Sequence, residues 1–319
     1  MNGSPHPAGI PQAGRSGQTN RRALNKLESP ILNSVVVPPS APADSDAPRT
    51  RLSQWLPLII NVAITLSLYE IYEFTRGLIP HNGPLAISHA HAVWDWEVHH
   101  GLFVEPAWQQ FWLKGNHILG WFRFTPEEIT DFLNTGYLYV HFIGTVVFLF
   151  WLFFFRRHLF AFVRNVFFVA TGVALMIYML YPLAPPRLAP NLFYDNRHYT
   201  FVDTVQKVLG SVSDASQIGY NPYAAMPSLH FGWALIIGGT LFFTLKPWIL
   251  RILGLCYPMF MLSVIVVSGN HFFADAIGSV FVVAFSVLVN LLWKRLRAYW
   301  SRARVQQSEV ALQEPALAS

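Results

Sequence analysis

Two histidines stand where a polar stretch enters an apolar run. His230 closes Ala-Ala-Met-Pro-Ser-Leu-His (Ala224–His230), and His271 lies in Ser-Gly-Asn-His-Phe-Phe-Ala-Asp (Ser268–Asp275). His271 and Asp275 are four apart at the start of an apolar run, so a helix there puts them on one face. Asp275 can accept from one ring nitrogen of His271, fixing the tautomer and freeing the other nitrogen for attack. Helix amides at this end would favour a bound phosphate. His230 follows Pro227, Ser228 and Leu229 at a second helix entry, whose amides also suit a phosphate oxygen. It could protonate a leaving alkoxide and later activate an acceptor. Arg187, in Tyr-Pro-Leu-Ala-Pro-Pro-Arg-Leu (Tyr181–Leu188), offers a fork for phosphate oxygens. Together these residues describe phosphoryl transfer. Plainer readings are a polar pair packing two helices, a capped helix start and an arginine anchored at an interface. An ionisable pair near a membrane interior is costly and usually functional, which favours the chemical reading.

The elements that must position these residues are membrane helices. Of 319 residues, 53% are hydrophobic and 12% charged, about half the charged fraction of a soluble domain. The mean hydropathy is +0.35. The net charge of +5 gathers at the termini and in short turns. No basic stripe interleaved with stacking aromatics accompanies it, so nucleic acid is not an expected partner. Cys256 is the only cysteine; no intrachain disulfide can form, and its apolar surroundings predict a small core residue.

Six apolar runs approach the roughly 20 residues needed to cross a bilayer: 55–74, 133–155, 163–183, 231–245, 249–267 and 274–293. The predicted fold is all-α, a polytopic bundle of six transmembrane helices with an amphipathic outer-face segment. Arg49 and Arg51, then Arg156, Arg157 and Arg164, then Lys246 and Arg251, then Lys294, Arg295, Arg297, Arg302 and Arg304 flank these runs. With six spans, all fall on one side. The positive-inside rule makes that side cytoplasmic, along with both termini. The candidate site then faces the extracytoplasmic compartment. Residues 1–52 are expected to be a disordered tail and lack the apolar core of a secretory signal. Residues 53–296 form the membrane domain, and 297–319 a basic, then disordered, tail.

Within that domain, 75–132 is broken by Pro80, Pro84, Pro106 and Pro126. It carries Trp94, Trp96, Trp108, Trp112 and Trp121. Tryptophan favours the water–lipid boundary, so one or two interfacial helices are expected to form a lid on the outer leaflet. His89, His91, His99 and His100 with Asp95 and Glu97 form a second polar cluster. Imidazoles and carboxylates suit zinc or iron, but there is no His-Glu-x-x-His. Interfacial histidines are the favoured reading, with headgroup recognition as an alternative. No metal or cofactor is assigned. His141 reads as a buried, paired polar residue.

The order of Arg187, Pro-Ser-Leu-His ending at His230, and His271-x3-Asp275 resembles the type 2 phosphatidic acid phosphatase superfamily. It is most similar to the branch containing inositol phosphorylceramide synthases, whose second motif also reads close to Ala-Met-Pro-Ser-Leu-His. The likeness covers roughly 55–293 and is sharpest over 181–278. It implies a six-helix bundle and a metal-independent reaction through a phosphohistidine. His271 would be the nucleophile, Asp275 its orienting acid and His230 the general acid–base. Arg187 and the Ser228 region would hold phosphoryl oxygens. The sequence departs from the broad superfamily at two cations: Leu180 stands at the lysine of Lys-x6-Arg-Pro, and Ile265 at the arginine of Ser-Arg-x5-His. The inositol branch departs likewise. A phosphodiester carries less charge than a monoester and needs fewer cations. Asn270, Tyr220, Asn221, Arg197 and His198 are candidate replacement donors.

These observations favour a lipid phosphotransferase moving an inositol-phosphate-type headgroup from a phospholipid to an alcohol. A lipid phosphate phosphatase, with water as acceptor, is the alternative within the same chemistry. A lipid transporter or lipid-binding membrane protein is the alternative of another class, but no inverted repeat or pair of broken helices supports it. The partners implied are a phospholipid, the acceptor and the bilayer. The sequence specifies no oligomeric state.

Overall fold

A computed structural model describes residues 51–78, 82–114, 124–195, 197–204 and 221–317. Residues 1–50 of the tail expected over 1–52 and the candidate donor Tyr220 lie outside them, and residues 51 and 52 belong to the first helix. The described chain is built mostly from helices: α1 (Arg51–Leu78), α2 (Gly83–His99), α3 (Glu105–Leu113), α4 (Pro126–Thr135), α5 (His141–Phe155), α6 (Arg157–Leu180), α7 (Leu229–Thr244), α8 (Trp248–Val267) and α9 (Phe273–Leu317). Among the described residues, four helices are long and apolar enough to cross a membrane: Pro126–Phe155, Arg157–Leu180, Trp248–Val267 and Phe273–Arg304. Shorter apolar helices are Leu58–Ser67, within α1, and α7. The chain therefore reads as an integral membrane protein.

Local chemistry sets the helix ends. Thr125 and Glu128 form a reciprocal capping box ahead of α4, with Pro126 in the first turn, where its missing amide costs nothing. Asn82 caps α2 through Leu85 N. Ser228 caps α7, its side chain accepting from Phe231 N at 3.4 Å. A π-helical turn, Gly136–Val140, joins α4 to α5.

Close packing comes from small residues. A Cβ on Gly238 would stand 2.6 Å from Gly254 O and 2.7 Å from Pro258 Cδ, so α7 and α8 touch almost backbone to backbone. Small residues serve membrane helices this way because lipid offers no hydrophobic drive for helix association.

The structure departs from the expected pattern in several places. The chain is not purely helical: Leu192–Tyr194 (β1) and Arg197–Tyr199 (β2) pair as a short antiparallel hairpin. Helix α9 continues to Leu317 through a stretch expected to be a loose tail, because it is rich in Arg, Gln, Glu, Ala and Leu, which favour helix. Cys256 is exposed on α8 instead of buried, since membrane helices can turn apolar side chains outward toward lipid. The 83–113 segment folds into α2 and α3, as its proline breaks suggested, but it also packs inward. Trp94, 1% exposed, sits in a core with Leu183, Leu192 and Phe272, and its indole donates to Phe193 O at 3.2 Å.

Candidate active site

Arg187, His230 and His271 come from three distant segments, and the fold gathers them at one end of the helices. Arg187 follows the C-terminus of α6, His230 lies in the first turn of α7, and His271 sits between α8 and α9. Tyr178 near the end of α6 donates from its hydroxyl to Pro227 O at 2.7 Å, which locks α6 to the entry of α7. Ser228 N donates to Asp275 O at 3.2 Å. Ser279 Oγ lies 2.7 Å from Ser228 O and 2.8 Å from Asp275 O, binding the starts of α7 and α9.

His271 Nδ1 lies 3.1 Å from Asp275 Oδ2. Asp275 is fully buried, and the same oxygen accepts from Phe272 N at 3.0 Å. With the proton on Nδ1, Nε2 of His271 is the nitrogen left for chemistry. The His230 ring centroid lies 6.3 Å from that of His271, at an interplanar angle of 57°.

His230 is held by aromatic neighbours that spacing alone did not mark. Tyr137 stacks on it at 4.1 Å, and the His141 ring lies 5.0 Å away. His141 Nδ1 pairs with Tyr257 OH at 3.0 Å, so the buried, paired state expected for it holds. Tyr137 lies within the π-turn and His141 directly follows it, a distortion frequent at functional sites. That turn was the available signal, and it exists only in three dimensions.

Arg187 is tied to the same loop. Its backbone N donates to Gly269 O at 3.1 Å. Nε donates to Asn270 Oδ1 at 2.7 Å, and Nη1 meets Asp203 Oδ2 at 2.6 Å. Asn270 also donates from Nδ2 to Ser268 Oγ at 3.0 Å. Through Oδ1 Asn270 holds Arg187, and through Nδ2 it holds Ser268. Gly269 has φ of 68°, a left-handed turn that suits glycine.

The other candidate donors divide. Ser228 is fully buried, with its hydroxyl used as the α7 cap. Asn221 Oδ1 accepts from Tyr223 N at 2.9 Å, a turn-forming contact. Arg197 and His198 lie exposed on β2. Neither absent cation leaves a gap at the site: Leu180 is 79% exposed, and Ile265 is fully buried, its carbonyl accepting from His271 N at 3.2 Å.

The helix-end anion site expected beside His271 is not open. Phe272 N goes to Asp275, Phe273 N donates to Glu105 Oε1 at 2.7 Å, and Ala274 N donates to Glu97 Oε1 at 2.6 Å. Protein carboxyl groups consume three consecutive amides. In the sequence Glu97 stands among the α2 histidines and Glu105 in no motif, and nothing local ties either to the start of α9.

The histidine cluster of α2 disperses. His89 stacks on Tyr181 at 3.9 Å and pairs with Pro182 O at 2.8 Å, next to the Arg187 segment. Burial, followed by the charge of Asp275, pushes the Tyr181 hydroxyl pKa up. His100 turns back to Trp96 O. Among the described residues, no three His, Cys, Asp or Glu side chains are grouped to hold a metal.

The PAP2 superfamily model matches residues 91–289, which include α2 from His91, both histidine motifs and Arg187. The chain belongs to the PAP2 superfamily. No curated protein and no solved structure matches it. Membership in the PAP2 superfamily supports a lipid phosphatase or phosphotransferase type of function.

Proposed function

We propose that this PAP2 protein is a lipid phosphotransferase working through a phosphohistidine, with inositol-phosphate-type headgroup transfer favoured. The observation that carries the reading is the His271–Asp275 pair, buried and 3.1 Å apart, facing His230 across 6.3 Å. Nε2 of His271 attacks the phosphorus of the donor. The bond from phosphorus to the lipid alkoxide breaks as His230, protonated, gives its proton to the leaving oxygen. Asp275 stabilises the imidazolium character that develops on His271. In the second half, His230 takes the proton of an acceptor hydroxyl, that oxygen attacks phosphorus, and the P–N bond breaks to restore His271. Arg187, aimed by Asn270 and Asp203, supplies charge to the phosphoryl oxygens. No step requires a metal.

Two features support a diester donor. Arg187 carries the cationic role in the motifs, whereas the two further superfamily cations are replaced by Leu180 and Ile265. A diester needs less positive charge than a monoester. We place the site on the extracytoplasmic face of a six-span topology with cytoplasmic termini. Arg156, Arg157, Lys246 and Arg251 mark the opposite ends of α5 to α8. Helix α7, of 16 residues, spans about 24 Å at 1.5 Å per residue. It reaches the roughly 30 Å of hydrocarbon with help from its entry turn.

The test is product analysis with purified protein, labelled phosphatidylinositol or phosphatidic acid, and added ceramide or diacylglycerol. Transfer of an intact headgroup phosphate to the added alcohol, lost in His271→Ala, is the expected result. Free phosphate from phosphatidic acid, lost in the same variant, would replace transferase with phosphatase. An acid-labile phosphoenzyme that depends on His271 separates either enzyme from a transporter.

A further inference from the structure

Two acids outside the catalytic motifs meet the first turn of α9. Glu97 lies near the end of α2, and Glu105 opens α3. Each accepts a backbone amide of that turn: Ala274 N for Glu97 and Phe273 N for Glu105. Asp275 takes the preceding amide, Phe272 N. All three carboxyl groups are fully buried.

The second oxygens differ. Glu105 Oε2 accepts from Val104 N at 3.0 Å. Glu97 Oε2 is buried with no hydrogen-bond donor among the described residues, as is Asp275 Oδ1, and Glu97 and Glu105 accept from adjacent backbone amides, which brings their carboxyl groups together. Two carboxylates cannot bond to each other, because both only accept. The charged groups facing Glu97 are Glu105 and Asp275, with His271 behind Asp275. Three buried anions against one imidazole is an expensive arrangement. One proton on Glu97 Oε2 resolves it: Oε1 still accepts from Ala274, and Oε2 donates to Glu105.

We propose that Glu97 and Glu105 form a one-proton carboxyl–carboxylate pair that positions the His271–Asp275 dyad. The positioning role rests on the reading of His271 as nucleophile. Both acids are positioning residues; neither contacts the reacting atoms. By tying consecutive amides to α2 and α3, the pair fixes the turn from which Asp275 projects. Its single charge keeps a second anion from facing Asp275 and loosening its hold on Nδ1. Burial, then the hydrogen bond to Glu105 and the charge of Glu105, push the Glu97 pKa up to about 10. The proton therefore stays in place at neutral pH. Glycine or alanine at either position would leave one amide of that helix end without its acceptor.

The experiment compares Glu97→Gln, Glu97→Ala and Glu105→Ala in the purified full chain. An amide at position 97 reproduces the neutral acid, accepting from Ala274 and donating to Glu105. Glu97→Gln is expected to stay within about threefold of wild type with an unchanged pH profile. Glu97→Ala and Glu105→Ala should lose about 10- to 100-fold, mostly in kcat, as for partners that orient a reacting side chain. Two readouts do not depend on turnover. The infrared band of a protonated carboxyl group at pH 8 should vanish in Glu97→Gln. The fraction of His271 in the Nδ1–H tautomer, read by nitrogen NMR, should fall in the alanine variants and hold in Glu97→Gln. Absence of the band, or Glu97→Gln failing as badly as Glu97→Ala, would overturn the shared proton. An unaltered tautomer in folded alanine variants would overturn the positioning role. If alanine variants do not fold, Glu97→Gln and the band still decide the shared proton. If wild type turns over neither phosphatidylinositol nor phosphatidic acid, the functional reading fails, while the band and the tautomer still judge the pair.

Discussion

In the proposed mechanism His271 offers Nε2 only while Asp275 holds Nδ1–H, and this dependence sets the first expectation. Asp275→Asn keeps the volume but can present an amide donor to Nδ1, which favours the wrong tautomer. A loss of about 10²- to 10⁴-fold in kcat is expected, with little change in KM, and steady-state kinetics would show it. His271→Ala should abolish the acid-labile phosphoenzyme altogether. Arg187 presents a different geometry. Nε and Nη1 are already committed to Asn270 and Asp203, so the planar fork is held in one orientation. Lysine keeps the charge and loses the fork. Arg187→Lys is expected to lower kcat/KM about 10- to 100-fold, and a partial rescue at high substrate would assign the loss to binding.

Helices and turns set the distances between these side chains. The α7–α8 contact fixes His230 at the start of one helix against the loop that ends the other. Gly238→Leu would drive a side chain into Gly254 O and Pro258. Overpacking of this kind costs about 1–3 kcal/mol, to be read as a lowered apparent Tm in detergent with activity falling in parallel. At Gly269 the obstacle is the backbone itself. Its φ of 68° makes Gly269→Ala strained by about 1–2 kcal/mol. Because Gly269 O accepts from Arg187 N, this variant should raise KM more than it lowers stability, and a thermal scan beside the kinetics separates the two.

Across the whole molecule, buried charge and topology give separate expectations. Glu97 has its folded pKa raised to about 10 from an ordinary 4.5. The folded state therefore binds more protons than the unfolded state between those values. Its contribution to stability is full below about pH 4.5 and is lost progressively up to about pH 10. The slope from this group is on the order of 1 kcal/mol per pH unit. Apparent Tm should fall from pH 6 to pH 9 in wild type, with a clearly shallower fall in Glu97→Gln. Topology is tested in a Cys256→Ser background, since Cys256 is the only native thiol. A cysteine placed at Asn191, on the site side, should react with an impermeant reagent in intact cells. One placed at Lys246 should react only after permeabilisation.

Much of this was legible in the chain. Long apolar runs must be helices in a bilayer because no water is there to satisfy the backbone, and the runs 133–155, 163–183 and 249–267 answer to the apolar helices Pro126–Phe155, Arg157–Leu180 and Trp248–Val267. The i,i+4 spacing of His271 and Asp275 on one helix face likewise needs no tertiary information. Ser228 was visible as a residue suited to a helix entry; its hydroxyl became a cap because Phe231 N lies one turn on. What the chain could not specify were contacts between residues far apart in sequence. Glu105 reaches Phe273, Asp203 reaches Arg187, and Tyr137 and His141 reach His230 only once the helices pack. The same packing closed the helix-end amides beside His271 to any external anion. Apolar periodicity and short spacings report which face a residue takes. Which partner that face meets is decided by how the helices assemble, and that assembly turns two motifs and an arginine into one site.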